Sequence, residues 1–290
     1  MSRLLLLVGL FSHTLTHAIE IDTLKYKSIE QLISSEKISA EFEGTGGHTA
    51  ECMQVKITNN QDDTAYVWVE GGRRLISENE HLQDIFVVKN ALLAIAPGTT
   101  DSTALYGFCC QASNGGPGKG DKFKVGRMAP KKWVDLAHFV EEQSFPVHAV
   151  QSAVWVMSDG HDIGSITHDS TAIIEPLKKK VAELLGYKVP WYSLTYQDDP
   201  NRVFSNVPDR IKGEVPFYIN THCIVTIVIK NQFGENVAFP VREEANGPGE
   251  NTYVMDQPVS DWGPGKYTIW IVQDYYTPIK KKIFYLNDYD

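Results

Sequence analysis

Short alternations of apolar and polar residues fill the first half of the chain and return near its end, with helical spacing between them. Within residues 52–57, Met53, Val55 and Ile57 alternate with polar neighbours, as in a half-buried strand. Residues 64–70 repeat the alternation and stop at Gly71-Gly72. Residues 85–88, 91–96 and 104–110 follow, the second of these closing at Pro97-Gly98. Residues 43–48 (EGTGGH) read as a glycine-rich turn. The glycines and proline of 114–121 (NGGPGKGD) preclude regular structure and predict a mobile loop. That loop lacks the Lys-Ser/Thr and the strand-loop-helix setting of a phosphate cradle.

Helical spacing takes over in four places. Residues 28–37 predict a short helix capped by Ser28, with Leu32 and Ile33 inward. Residues 130–143 place Trp133, Leu136, Ala137 and Val140 on one face. Residues 147–157 do the same for Val147, Val150, Val154 and Met157, and end at the Asp159-Gly160 turn signal. Residues 176–186 bring Leu177, Val181, Leu184 and Leu185 together before Gly186, a helix stop. From residue 210 the rhythm is strands only: 215–219, 223–230, 236–241, 251–255, 266–273 and 280–286, separated by turn signals at sandwich spacing.

The pattern predicts a mainly β protein. Residues 19–187 form an N-terminal β-sandwich with a few packed helices, 188–209 a linker rich in Pro, Asp and aromatics, and 210–290 a second β-sandwich. Residues 1–18 carry Arg3, an apolar run and Thr16-His17-Ala18, the pattern of a secretory signal peptide. No later apolar run approaches the roughly 20 residues of a membrane span, so the expected setting is extracellular.

Charge narrows the partners. Lys and Arg number 27 and Asp and Glu 36, giving a formal net charge of −9. An acidic surface repels phosphate backbones, which argues against nucleic acid. Four cysteines, Cys52, Cys109, Cys110 and Cys223, in a chain bound for an oxidising compartment predict at least one disulfide, with Cys52, Cys109 and Cys110 as candidates. Cys223 shares a strand face with Val225, Ile227 and Ile229 and reads as a buried small hydrophobe.

Two resemblances add to this reading. Residues 224–230 running into Asn231-Gln232-Phe233-Gly234-Glu235-Asn236-Val237, then Gly263-Pro264-Gly265-Lys266-Tyr267, then 281–286, resemble the immunoglobulin-like β-sandwich that ends flagellar-hook-cap proteins and surface proteins of bacterial gliding-type secretion systems. The resemblance implies a C-terminal immunoglobulin-like module for assembly, spacing or secretion. Within residues 147–162 (VHAVQSAVWVMSDGHD), Val150-Gln151-Ser152-Ala153-Val154-Trp155 resembles the apolar-Gln-x-x-apolar-Trp motif of thioester domains in Gram-positive surface adhesins. That family condenses a cysteine sulfur with a glutamine side chain and releases the acyl group to a host amine. The resemblance implies Gln151 with Cys52, Cys109 or Cys110 as thioester candidates; a helix glutamine is otherwise solvent-facing.

Other constellations are less specific. His48, Cys52, Cys109, Cys110 and His161 could ligate zinc, but no C-x-x-C or H-x-x-x-H spacing is present. Asp159-Gly160-His161-Asp162 and His168-Asp169 form a polar knot. His161, Asp162, His168 and Asp169 are candidate ligands for calcium, at a spacing unlike known calcium loops. A helix-end turn whose side chains satisfy backbone groups explains them more simply. Trp191, Tyr192, Tyr275 and Tyr276 are candidate interface anchors.

The expected function is a secreted, non-enzymatic structural or adhesive surface protein, without a cofactor, acting through protein partners or self-assembly at the cell surface. Its alternatives are a covalent thioester adhesin and, below that, a secreted hydrolase using His161 and Asp162.

Overall fold

Alternating residues that each need one buried face leave the first strands two solutions, an open pair of sheets or a closed barrel. A computed structural model describing residues 22, 24–198 and 205–286 shows the barrel. The signal-peptide segment lies outside the described residues. In chain order the N-terminal strands and helix are β1 (Lys27–Ser28), α1 (Ile29–Ser34), β2 (Ile38–Thr45), β3 (Thr49–Asn59), β4 (Ala65–Val69), β5 (Arg73–Ser77), β6 (Ile85–Val87), β7 (Ala91–Ile95), β8 (Thr100–Cys109) and β9 (Lys119–Met128). The closed barrel runs β2-β3-β8-β6-β5-β9, and β1-β4-β7 form a separate three-stranded sheet. The expected N-terminal sandwich is thus a barrel. Period-two alternation marks which face is buried, not whether the sheet's edges meet.

Helices α2 (Lys131–Glu141), α3 (Val147–Asp159) and α4 (Thr171–Leu185) pack outside the barrel. Gly160 and Gly186 end α3 and α4 in left-handed conformations, at φ 71° and 83°. The last of the three begins five residues earlier than proline's preference for the first turn predicts, and Pro176 sits inside it. Adjacent residues at the end of β8 divide between two cores. Cys109 joins the barrel interior with Cys52, Met53, Val55 and Leu105, while Cys110 and Phe108 join the helical core with Val150, Val154 and Leu177.

The segment expected to be a linker carries β10 (Tyr192–Tyr196). It pairs with β11 (Pro208–Ile219), which pairs with β14 (Gly249–Pro258). A four-stranded sheet runs β13 (Asn236–Asn246), β12 (Cys223–Lys230), β15 (Gly265–Gln273), β16 (Thr277–Leu286). The two sheets share one core containing Tyr192, Val215, Ile227, Ile269 and Phe284, and Cys223 lies buried in it as expected.

Candidate functional site

Helix α3 presents small and apolar residues on nearly every side. Ala149, Val150, Gln151, Ala153, Val154, Trp155 and Val156 are all buried, so the helix is enclosed between barrel and neighbouring helices. Enclosure puts Gln151, expected to face solvent, at 3% exposure against the end of β8. Its carboxamide clasps one residue twice. Oε1 accepts the Cys109 N–H at 3.1 Å and Nε2 donates to the Cys109 carbonyl at 2.8 Å. The same N–H also reaches the His48 carbonyl, just before β3, at 3.2 Å.

The three nearby cysteines differ in what their sulfurs do. Cys52 donates to the Gly107 carbonyl and Cys110 to the Asp84 carbonyl, each at 3.4 Å. The Cys109 thiol makes no hydrogen bond among the described residues. The expected disulfide is not formed: Cys52, Cys109, Cys110 and Cys223 are all free and buried. Cys110 faces the helical core and cannot reach Cys52 inside the barrel, and Cys52 is turned onto Gly107. A Cβ at Gly107 would come within 2.5 Å of Ile85 Cγ2 and 3.8 Å of Cys52 Sγ, so glycine keeps this barrel end open for sulfur. Burial pushes the Cys52 and Cys110 thiols up to about 12, and raises the Cys109 thiol further with help from its two sulfur neighbours.

A glutamine network absent from the sequence reading holds the chain beyond Cys110. Gln83 Oε1 accepts from the Gln111 N–H at 3.1 Å and from the Trp155 indole at 3.4 Å, while Asp159 accepts from the Ala112 N–H at 2.9 Å. The start of the glycine-rich loop is pinned rather than free. Gly115 exchanges backbone bonds with His81 and Gln83 at 3.0 and 2.9 Å, and Lys119 already belongs to β9. Arg73, also missed, is buried with Glu70 and Glu30 at 2.6 and 2.7 Å. Its arginine-rich surroundings carry no apolar run that would announce a strand.

The polar knot splits in two, with His161 and Asp162 gathered around Tyr196 and His168 and Asp169 apart from them. Asp162, fully buried, accepts from the Gly164 N–H at 2.5 Å and the Tyr192 hydroxyl at 3.0 Å, and its own N–H donates to the Tyr196 hydroxyl at 3.0 Å. The Tyr192 hydroxyl in turn accepts from the Tyr285 N–H at 3.3 Å. His161 lies between the Trp155 and Tyr196 rings with Nε2 2.7 Å from Asn206 Oδ1, and burial lowers its pKa against that bond. His168 stacks on His148 instead, and Asp169 is exposed. The calcium candidates therefore do not converge. Among the described residues no three His, Cys, Asp or Glu side chains form a metal-holding group, the proposed zinc set included.

The interface candidates fall in two places. Trp191 and Tyr192 lie at the start of the C-terminal sheets, where the Trp191 indole donates to the Ile283 carbonyl at 2.7 Å and the Tyr192 hydroxyl reaches back to Asp162. Tyr275 and Tyr276 form the exposed β15–β16 hairpin tip, and Asp274 and Tyr275 hold left-handed φ values of 47° and 71° there.

No family model matches the chain, and no curated protein does. Among solved structures, a β-glucosidase from Kluyveromyces marxianus aligns at 9% identity with a TM-score of 0.21, covering 81% of this chain and 44% of its own. The chain thus spans under half the length of that structure.

Proposed function

We propose that this chain is a secreted surface protein that acts by adhesion rather than by turnover, and that its adhesive chemistry is an internal thioester between Cys109 and Gln151. One observation carries this reading: the buried Gln151 carboxamide is clasped onto Cys109, the residue whose thiol alone among the three neighbouring cysteines is uncommitted.

The clasp holds the Gln151 carboxamide at the Cys109 main chain, and the reaction then needs the Cys109 thiol, packed on the barrel side, to turn toward Cδ. Cys109 Sγ attacks Gln151 Cδ, the oxygen that gains charge faces the Cys109 N–H, and Nε2 leaves as ammonia. A C–S bond replaces a C–N bond. The proton that the buried thiol keeps at neutral pH is the one the departing nitrogen needs. Water is excluded by α3 and the barrel end, which preserves the acyl group. A primary amine then forms a new C–N bond at Cδ and returns the sulfur to a thiol.

The C-terminal pair of sheets, read as an immunoglobulin-like sandwich resembling the secretion-associated modules, would space or assemble the N-terminal unit at the surface. Exposing the secreted protein to methylamine and then alkylating it tests the covalent reading. Methylamine on Gln151 together with a newly alkylated Cys109 supports it; an unmodified Gln151 peptide refutes it.

A second reading is reversible docking through the hairpin tip. A tyrosine held at φ 71° is conformationally costly, and Tyr275 and Tyr276 are 57% and 87% exposed. Costly geometry that presents aromatic rings to solvent favours a binding role. Loss of partner or self-association in Tyr276→Ala at unchanged stability would support it, and unaltered association would oppose it.

A further inference from the structure

Helix α4 stands over the outward face of the β10–β11–β14 sheet and leaves a cleft of about 530 Å³ between them. Register aligns Ser193, Lys212 and Asp256 across the floor of that sheet, with Glu214 beside Val254 in the next row. The wall from α4 contributes Ile174, Glu175 and Lys178. Trp191 closes one end. Its indole is fixed by the Ile283 carbonyl, and its ring lies across β11 because Gly213 has no side chain; a Cβ there would meet the ring at 2.7 Å.

Most charges in this cleft are already matched. Glu175 pairs with Lys179 at 3.3 Å, and Asp256 pairs with Arg210 at 2.8 Å and Lys212 at 3.6 Å. Lys178 has neither ion pair nor hydrogen bond among the described residues, although its side chain is half-buried. A half-buried ammonium that feels two carboxylates but has neither in direct ion-pair contact among the described residues keeps a pairing position open. Burial lowers the pKa of this amine, while the carboxylates of Asp162 and Glu175 act in the opposite direction and favour its charged form.

We infer that this cleft is a binding site for an organic monocarboxylate with an apolar body, anchored by Lys178. The anion would take the vacant pairing position at Lys178, and the body would lie over Ile174, Trp191 and Val254. Val254 is 67% exposed, unusual for a strand valine facing a cleft. Glu214, which makes no ion pair among the described residues, disfavours a second negative charge. A free carboxylic acid and the C-terminal residue of a peptide share this chemistry. The site is separate from Gln151 and does not depend on the thioester.

Two probes separate those sources: hexanoate, and acetyl-leucyl-leucine with a free carboxylate, the latter compared with its C-terminal amide. Each is titrated into the full-length protein by calorimetry, and lysine acetylation by limiting acetic anhydride is mapped by mass spectrometry. The proposal expects one or both acids to bind and to slow acetylation of Lys178 selectively over Lys179 and Lys180, while the amide does neither. Binding by hexanoate assigns the small acid; binding by the dipeptide acid alone assigns a chain terminus. Lys178→Gln should weaken binding about tenfold or more, the loss of one desolvated charge pair. Lys178→Arg should retain most of it and Lys179→Gln all of it, with melting curves confirming that each variant folds. Absence of Lys178-selective protection by either acid, or wild-type affinity in folded Lys178→Gln, overturns the proposal.

Discussion

Helix α3 has a buried polar cluster near each end, and the two differ in what they leave unspent. After its C-terminus, Asp162 is fully enclosed and engaged by a backbone N–H and a tyrosine hydroxyl, and those bonds continue through Tyr192 into β16. Near its N-terminus, Gln151 is almost as deeply enclosed, yet the residue it clasps carries a thiol that makes no hydrogen bond among the described residues. On the proposed thioester reading, burial alone does not separate a structural polar group from a reactive one. What separates them is whether a reactive atom remains uncommitted beside the satisfied ones.

Removing the committed cluster should cost most. Asp162→Ala strands the Gly164 N–H in a dry junction, while the Tyr192 hydroxyl keeps the Tyr285 carbonyl at 3.2 Å, and should destabilise by about 2–3 kcal/mol in denaturant melts. A loss below about 1 kcal/mol would mean that water replaces the carboxylate there. Gln151→Ala should cost less, about 1–2 kcal/mol, because the Cys109 N–H keeps the His48 carbonyl and only the Cys109 carbonyl is orphaned. Its larger effect is chemical: amine capture should vanish while the fold persists.

The two clusters should also divide the pH range. The folded pKa of His161 is below the histidine value of 6.5, so the unfolded chain binds its proton first and stability should fall as pH drops below that value. The thiols are raised above their ordinary value of 9.0, so their contribution is complete below that value and is lost as pH climbs toward 12. Melting temperatures that fall on both sides, with His161→Gln flattening only the acid limb, would sharpen the distinction. The smallest effect belongs to the hairpin tip. Tyr275→Gly should stabilise by about 1 kcal/mol by relieving the left-handed φ, and a loss of stability would show that the ring is packed.

Much of the architecture was legible in the chain. Met53, Val55 and Ile57 announced β3, and Gly186 announced the end of α4. Cys109 and Cys110 pointed to opposite cores because neighbours in a strand must. Barrel closure was hidden, since β5 and β9 carry their apolar residues among lysines and arginines and only their partners reveal them. Gln151 was misplaced for a different reason. The stripe of Val147, Val150, Val154 and Met157 suggested one buried face, whereas α3 is enclosed nearly all round and Val147 is among its more exposed residues. The small residues Ala149 and Ala153 were the available sign of that enclosure. The Gln83 and Gln111 network had no sequence signal, because it depends on where two loops meet.

The central claim is a covalent bond between Cys109 and Gln151, and the intact mass of the purified protein tests it most directly. The account predicts a mass one ammonia below that of the same polypeptide with four free thiols, and a Cys109→Ser variant in which the deficit is gone. A wild-type mass equal to that of the four-thiol polypeptide, with Cys109 alkylated after unfolding, would contradict it.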